Sequence, residues 1–259
     1  TKWNLSKVSV AITLTPEVRG QLSVYPIHSA KKFGIDAFVT DRFGGVSEGP
    51  YDSLNLGIHV GDNPAHVAEN RKRVANAVGA ENLIIVRQVH SSDVVHATQA
   101  LTDTEADGLV TSDSDFVLCI LVADCVPILL FDSSSHRFGV VHAGWKGLAS
   151  GVIASALKHF DTPTAVHAFV GPSISFEGYQ VGPEVAEVFA HIDGATVSDG
   201  GDRSRLNLRL VASHQLIEAG ISDENIEIST QSTDGGEIFF SDRALRPCGR
   251  FALIAKRES

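Results

Sequence analysis

The run FVLCILVADCVPILLFDSSSHRFGVVHAGWKG, residues 116 to 147, constrains the fold of this chain more than any other stretch. Phe116 to Ala123 has no polar residue and no period of two, the pattern of a strand buried on both faces. Asp124, Cys125 and Pro127 interrupt it; the run resumes as Ile128 to Phe131, turns through SSSHR and returns as Phe138 to His142. Two polar breaks therefore fall at the ends of buried strands. One carries a thiol beside a carboxylate, Cys125 and Asp124. The other carries His142, followed by Ala143-Gly144-Trp145-Lys146-Gly147 and an apolar-periodic segment over 148 to 159. Reactive groups on rigid strand ends are what a preorganised site needs.

Around this centre the pattern predicts grouped strands and a few helices. Alternation over 8 to 14 and 22 to 28 predicts two half-buried strands, and Phe33 to Thr40 a third. That third strand ends at Asp41-Arg42-Phe43-Gly44-Gly45-Val46-Ser47. There Gly44 and Gly45 let the backbone approach a ligand, and Arg42 offers a planar fork to phosphate or carboxylate; the plain alternative is a Gly-Gly turn with a solvated arginine. The irregular segment GPYDSLNLGIHVGDNP follows, with Asn55 and His59 as its polar candidates. Asp62 or Asn63 caps a helix starting at Pro64, with Val67, Val74 and Val78 on one face and Gly79 at its end. Leu83 to Val89 predicts a buried strand, Asp93 to Ala97 the start of a return strand, and Asp107 to Thr111 the approach to the centre. Later come a strand over Ala165 to Val170, a short helix over Pro183 to Ala190, a helix over 205 to 219, and strands over Asn225 to Gln231 and Phe251 to Lys256. With no linker or shift of composition, residues 1–259 read as a single α+β domain on mixed sheets.

Bulk properties narrow the function classes. The 259 residues are 43% hydrophobic, enough to bury a full core, and the formal charge of -10 argues against nucleic acid or an anionic membrane as partner. A small-molecule substrate is the expected partner. Three cysteines at irregular spacing make no disulfide framework, which points to a reducing compartment. The start TKWNLSKVSVAITL lacks the pattern of a secretory leader, and the longest apolar run is broken before it could span a bilayer. The expectation is a soluble, cytoplasmic protein.

Three side chains stand at the ends of buried strands: His90, Cys125 and His142. Two imidazoles and a thiolate make a zinc set, and three protein ligands leave a fourth position for water or substrate. The separations of 35 and 17 residues match no short metal motif, so packing at strand ends is the competing reading. A second is a Cys125/His142 nucleophile and base. Asp124 tilts the choice toward metal, since a neighbouring carboxylate disfavours a free thiolate whereas bound zinc deprotonates the thiol outright. Cys119, inside the apolar run, reads as a packing thiol, and Cys248, in a late Pro/Gly loop, as incidental.

Nine ordered motifs carry a family resemblance: TDRFGGVS (40 to 47), YDSLNLGIHVGD (51 to 62), ENR (69 to 71), QVHS (88 to 91), ADGLVT (106 to 111), ADCVPILLFD (123 to 132), VHAGWKG (141 to 147), GPSI (171 to 174) and FFSDR (239 to 243). Together they resemble the YfiH family, whose members have been called laccase-domain or multicopper polyphenol oxidoreductase proteins and, later, purine nucleoside phosphorylases. The resemblance implies an α+β sandwich-like core flanked by helices and a zinc held by His90, Cys125 and His142. It also implies phosphorolysis of adenosine, inosine, guanosine and methylthioadenosine, with adenosine deamination as a second activity. Arg42, Gly44, Asn55 and Lys146 would then face nucleoside and phosphate, Asp124 would shuttle a proton, and the chain would be a monomer or a weak homodimer. Three positions depart from the pattern: Lys146 stands where arginine is usual, Ser229-Thr230 replaces Cys-Thr, and FFSDR lacks the usual tyrosine and following arginine. Two other activities attach to the resemblance: a cysteine-type hydrolase editing a peptidoglycan precursor, and a copper-dependent polyphenol oxidase. The oxidase suits these residues less well, because no His-x-His or His-Cys-His occurs among the 11 histidines. A metal-binding protein with a purely structural triad is the non-enzymatic alternative; it calls for a fourth protein ligand, and none suggests itself.

Overall fold

The computed structural model describes residues 10–101, 103–132 and 134–258. In chain order the strands are β1 (Val10–Ile12), β2 (Glu17–Arg19), β3 (Leu22–Pro26), β4 (Ile35–Thr40), β5 (Ile84–Ile85), β6 (Val94–His96), β7 (Gly108–Thr111) and β8 (Val117–Val122). They continue as β9 (Val126–Asp132), β10 (Phe138–Ala143), β11 (Val166–Val170), β12 (Gln180–Val181), β13 (Thr196–Ser198), β14 (Ser204–Leu206), β15 (Ile226–Ser229) and β16 (Phe251–Arg257). The α-helices are α1 (His28–Lys31), α2 (Pro64–Ala77), α3 (Trp145–Ala149), α4 (Val152–Leu157), α5 (Pro183–Val188) and α6 (Leu208–Glu218).

Two large mixed sheets form the body. One has seven strands in the order β1-β15-β11-β9-β10-β7-β6, the other six in the order β2-β3-β4-β16-β8-β5. Their facing sides share one core, in which Leu118, Ile120 and Val122 of β8 meet Leu129 and Phe131 of β9, Phe138 of β10 and Phe169 of β11. The alternate residues of β8, Val117, Cys119 and Leu121, turn to a second cluster with Val74 and Val78 from the α2 segment. On the outer side of the seven-stranded sheet, Ile128, Leu130 and Val141 pack with Leu148, Val152, Phe189 and Leu216 from the helical segments. The order is therefore helices, sheet, sheet, helix, the α+β sandwich that the sequence implied. A strand covered on both faces needs no polar side, which is why Phe116 to Ala123 shows no alternation.

The chain changes sheets inside the central stretch. β8 belongs to the six-stranded sheet, whereas β9 and β10 are antiparallel neighbours in the seven-stranded one. The crossover is residues 123 to 125, and Asp124 takes a left-handed φ of 83° there. A fixed kink of this kind sets where the Cys125 side chain starts.

Several boundaries differ from expectation. β1 starts at Val10, and residues 8 and 9 lie outside the described residues, as does most of the N-terminal segment read for a leader. The strand expected over Leu83 to Val89 shortens to Ile84–Ile85, half-buried at the sheet edge. Its ladder with β8 stops because the Gln88 side chain takes over: Nε2 donates to the Leu121 carbonyl at 2.7 Å and Oε1 accepts from the Leu121 amide at 2.8 Å. β6 does not return along β5 but pairs parallel with β7 in the other sheet. The segment over 148 to 159 holds two short helices, parted at Gly151 with φ 84°. The helix expected from 205 starts at Leu208, because β14 runs to Leu206 and Asn207 caps the helix by accepting from the Leu210 amide. Asn63 caps α2 as expected, with Pro64 in its first turn. A small antiparallel sheet, β12-β14-β13, was not anticipated. No helix among the described residues is long and apolar enough to cross a membrane.

Candidate metal centre

The ligand atoms of His90, Cys125 and His142 all lie within 4.8 Å of one another. The three come from different elements. His142 is in β10, Cys125 follows the sheet crossover, and His90 sits at a left-handed φ of 59° in the loop after β5. The two imidazole rings meet edge to face with centroids 4.7 Å apart. Burial grades across the cluster: His142 is buried, Cys125 half-buried and His90 exposed. The open side of the cluster is therefore the His90 side.

Asp107, one residue before β7, organises two of the three. Its Oδ1 stands 2.7 Å from Nδ1 of His142, which commits that nitrogen and turns Nε2 over to other work. The same carboxylate accepts the backbone amides of Val89, His90 and Ser91 at 3.2, 3.0 and 2.6 Å, so it also shapes the loop that presents His90. The Asp107 carbonyl accepts the His142 amide at 2.7 Å. A carboxylate on the far nitrogen of a ligating histidine fixes tautomer and ring orientation. The sequence reading placed Asp107 only at the start of a strand; its role depends on contacts that no spacing reveals.

Electrostatics within the cluster favour an ionised thiol. Burial opposes the thiolate, but the His142 and His90 imidazoles beside it hold Cys125 well below the ordinary thiol range. Burial likewise opposes a charged His142, yet the Cys125 and Asp107 charges hold it well above the ordinary imidazole range. Thiolate and imidazolium thus stabilise each other, and the contact with His142 lowers Asp107 in turn. Cys119 behaves oppositely: burial pushes its thiol up to about 12, which fits the inert packing residue expected.

The surroundings also fit an ion. A Cβ added at Gly144 would lie 2.9 Å from Cys125 Sγ and 2.9 Å from His90 Nδ1, so the glycine after β10 keeps space open beside two donors. Two nitrogens and one sulfur, a carboxylate behind one histidine, and an exposed side make a set that can hold a metal with a vacant position. Among the described residues this is the one cluster of three or more such side chains with that capacity.

Comparison with known proteins agrees with this geometry. Residues 36–258 match the family model described as multi-copper polyphenol oxidoreductase laccase, a range that holds His90, Cys125 and His142. The chain belongs to this family. Among its relatives, purine nucleoside phosphorylase YfiH of Escherichia coli (strain K12) is 36% identical over 226 residues, covering 85% of this chain and 92% of that one. The crystal structure of the hypothetical protein YfiH from Bacillus licheniformis superposes with a TM-score of 0.86 at 29% identity, over 94% of this chain and 99% of that one. YlmD from Geobacillus stearothermophilus gives 0.87 at 28% identity, over 95% and 99%. The resemblance read from nine motifs is thus a family membership, and the sandwich is the family's fold.

Other residues singled out in the sequence have more local duties. Both oxygens of Asp124 are engaged: Oδ1 accepts from Thr233 Oγ1 at 2.5 Å and Oδ2 from the Arg243 amide at 2.7 Å. Its carboxylate anchors the 233–243 segment, and the expected proton shuttle would have to act from that anchored position. Arg42 donates Nε to the Asp52 carbonyl at 2.9 Å and Nη1 to the Gly236 carbonyl, and lies over the Phe240 ring. Two of its three guanidinium nitrogens are thus spent on the backbone, so an anion clamp at Arg42, as the sequence led one to expect, would have to work through the third. Gly44 and Gly45 belong to the same packing, since a Cβ at Gly45 would sit 2.1 Å from the Ser53 carbonyl oxygen. The amides of Phe43, Gly45 and Val46 are spent on Asp41, Ser53 and Asn70, so the loop offers no phosphate nest there. Asn55 is fully buried and its amide is used up. It accepts from the Gly57 and Arg250 amides and donates to the Gly57 carbonyl and Asp62, so in this arrangement its polar atoms hold the loop, where a contact with substrate was expected. Lys146 is exposed on the first turn of α3, its ammonium 5.7 Å from the Trp145 ring centre.

Two residues border the cluster that the sequence reading gave no role. Tyr179 is pushed up to about 12 by burial and by the nearby Cys125 charge. Arg243, within FFSDR, lies over the Tyr179 ring at 5.1 Å and donates to the Gln180 carbonyl. The FFSDR motif was the available signal for Arg243; for Tyr179 there was none.

Proposed function

We propose that this chain is a zinc-dependent purine nucleoside phosphorylase that also deaminates adenosine. The observation that carries the reading is the open His90-Cys125-His142 cluster with Asp107 behind it, in a family whose relatives bear the phosphorylase name. Bound to those three donors, zinc would supply Lewis acidity to an oxygen of water or substrate. Cys125 binds as the thiolate that its neighbours already favour. His142 would offer Nε2 in its deprotonated form, while Asp107 keeps Nδ1 protonated and the ring in place. Gly144 leaves room, and exposed His90 marks the side from which a nucleoside enters. Tyr179, which feels the Cys125 charge, and Arg243 over its ring would suit an aromatic base and a ribose oxygen, and exposed Lys146 would supply a point charge. Zinc is preferred to copper because one donor cluster cannot run a multicopper relay, and the 259 residues contain no methionine to serve as the usual weak axial ligand of a blue-copper site.

A second reading has its own support. Asp107, His142 and Cys125 also have the order of an acid, base and thiol nucleophile, which suits a cysteine-type hydrolase acting on a peptidoglycan precursor. A second imidazole on the sulfur, His90, is superfluous to that chemistry and natural to a metal set.

The test is chromatography of adenosine incubated with the full chain, with and without phosphate, beside metal analysis of the same batch. Adenine that forms only with phosphate, from protein carrying about one zinc per chain as a three-ligand site requires, supports phosphorolysis. Inosine without phosphate marks deamination. A folded Cys125→Ala variant with full turnover would sink both activities, and turnover that survives chelation would favour the cysteine hydrolase.

A further inference from the structure

A cavity of about 1060 Å³ lies between α2 and the β5 edge of the six-stranded sheet. Its wall runs from Ile58 and His59 across Arg71 to Gln88 and Val89, the two residues before His90. Most of the lining is apolar, including Val67, Ile84 and Leu121. The cations are therefore what need explaining.

Arg71 is half-buried in that wall. Its Nε donates to the Leu56 carbonyl at 2.9 Å, which fixes one edge of the guanidinium and leaves the other edge without that partner. Burial lowers its pKa, and among the described residues no ion pair joins it to a carboxylate. Around neighbouring His59 the charged groups are Arg250, Arg71 and His142, every one of them basic. Arg250 has a carboxylate, Asp242, at 3.3 Å, and His142 has Asp107, whereas among the described residues no ion pair involves Arg71 or His59. Burial and these cations push His59 down toward its neutral form, so Arg71 is the standing charge of the corner, and an anion seated there would offset its desolvation and give His59 an acceptor for its N–H. Guanidinium groups are also the side chains best shaped for two-point contact with phosphate. Glu81 and Asp103 also line the cavity, on the turn after α2 and on the 98–106 loop, and Lys72 and Arg87 share the wall with them.

We propose that the Arg71 and His59 corner of this cavity is an oxyanion site that takes inorganic phosphate next to the metal centre. That the phosphate there is the attacking co-substrate rests on the phosphorylase reading; the existence of the site does not. Arg71 supplies the fork, His59 a second donor, and Arg250 the field. Gln88 and Val89, which line the same cavity, directly precede His90, and His142 is among the charges that act on His59, so the cavity is continuous with the surroundings of the cluster. The role first given to Arg42 thereby passes to a residue of the ENR motif.

The experiment is calorimetric titration of inorganic phosphate into the zinc-loaded full chain, for the wild type and for Arg71→Gln, Arg71→Lys and His59→Gln. Steady-state kinetics with adenosine and phosphate both varied accompany it. Phosphate affinity should fall roughly tenfold or more in Arg71→Gln and less in Arg71→Lys, which keeps the charge and loses the fork. In kinetics the phosphate KM should rise while the adenosine KM holds. Equal phosphate affinity in wild type and Arg71→Gln overturns the proposal, as does a wild type that binds no phosphate at millimolar concentration. If Arg71→Gln fails to fold, His59→Gln decides, since His59 is exposed, and unchanged affinity there overturns the site. Phosphate binding that depends on Arg71 in a chain that cleaves no nucleoside would keep the oxyanion site and discard the phosphorylase reading.

Discussion

Oδ1 of Asp107 stands 2.7 Å from Nδ1 of His142, while the same carboxylate gathers the amides of residues 89 to 91 that carry His90. One buried group thus orients one candidate ligand directly and another through its backbone. Asp107→Asn keeps the shape and removes the charge. Zinc affinity should fall by roughly 10- to 100-fold, the usual cost of losing a carboxylate behind a ligating histidine. Competition against a chromophoric chelator measures it, and unchanged affinity would remove Asp107 from the centre.

Gly144 tests the space rather than the ligands. Its φ of -79° suits any residue, so alanine brings no backbone strain. The new Cβ would fall 2.9 Å from Cys125 Sγ and from His90 Nδ1, both ends of side chains that can yield. Gly144→Ala should therefore fold with the metal-free Tm of the wild type while binding zinc roughly tenfold or more weakly, as expected when donor positions are disturbed. Thermal melts with and without metal separate the two effects.

Asn55 predicts a stability change. Asn55→Ala strips partners from the Gly57 and Arg250 amides, the Gly57 carbonyl and Asp62. Unfolding free energy should drop on the order of 3 kcal/mol or more, given about 1–3 for each buried group left unsatisfied. Denaturant titration checks it. A variant of normal stability with a raised adenosine KM would restore the substrate role.

Asp41 sets a pH dependence. It is 2% exposed, and burial raises its carboxyl to about 6 against the hydrogen bonds it accepts, which pull the other way. Because the folded value lies above the ordinary 3.8, the native state holds the proton more tightly than the unfolded chain between those limits. Its contribution is present below the lower limit and lost as pH rises through the upper. Asp41→Asn should then exceed the wild type in stability by about 2–3 kcal/mol above pH 6, with the gap closing near pH 4. Denaturant midpoints at both ends of that window decide.

The sandwich was legible where burial leaves a trace in composition. β8, β9 and β10 have no exposed face, so their runs lack polar residues, and the breaks between them exposed Cys125 and His142 as strand-end groups. Edges were read poorly. Leu83 to Val89 looks like a core strand, but the ladder is cut short by a side chain, Gln88, whose reach follows no period. β2, with sequence EVR, is too short and too charged to announce itself. In the site the donors could be read and their supports could not. Asp107 acts on residues 16 to 35 positions away, and the loop contacts that Asn55 and Arg42 make follow no spacing that a sequence displays.

The crossover at residues 123 to 125 sets the mechanical standing of the centre. Cys125 is delivered where the chain leaves one sheet for the other, His142 rides on a strand of the second sheet, and His90 follows a strand at the margin of the first. An ion shared by the three would rivet the two layers at one end. Any slippage of one layer over the other would register as a change in donor spacing, so the chemistry and the alignment of the sandwich could not be tuned independently.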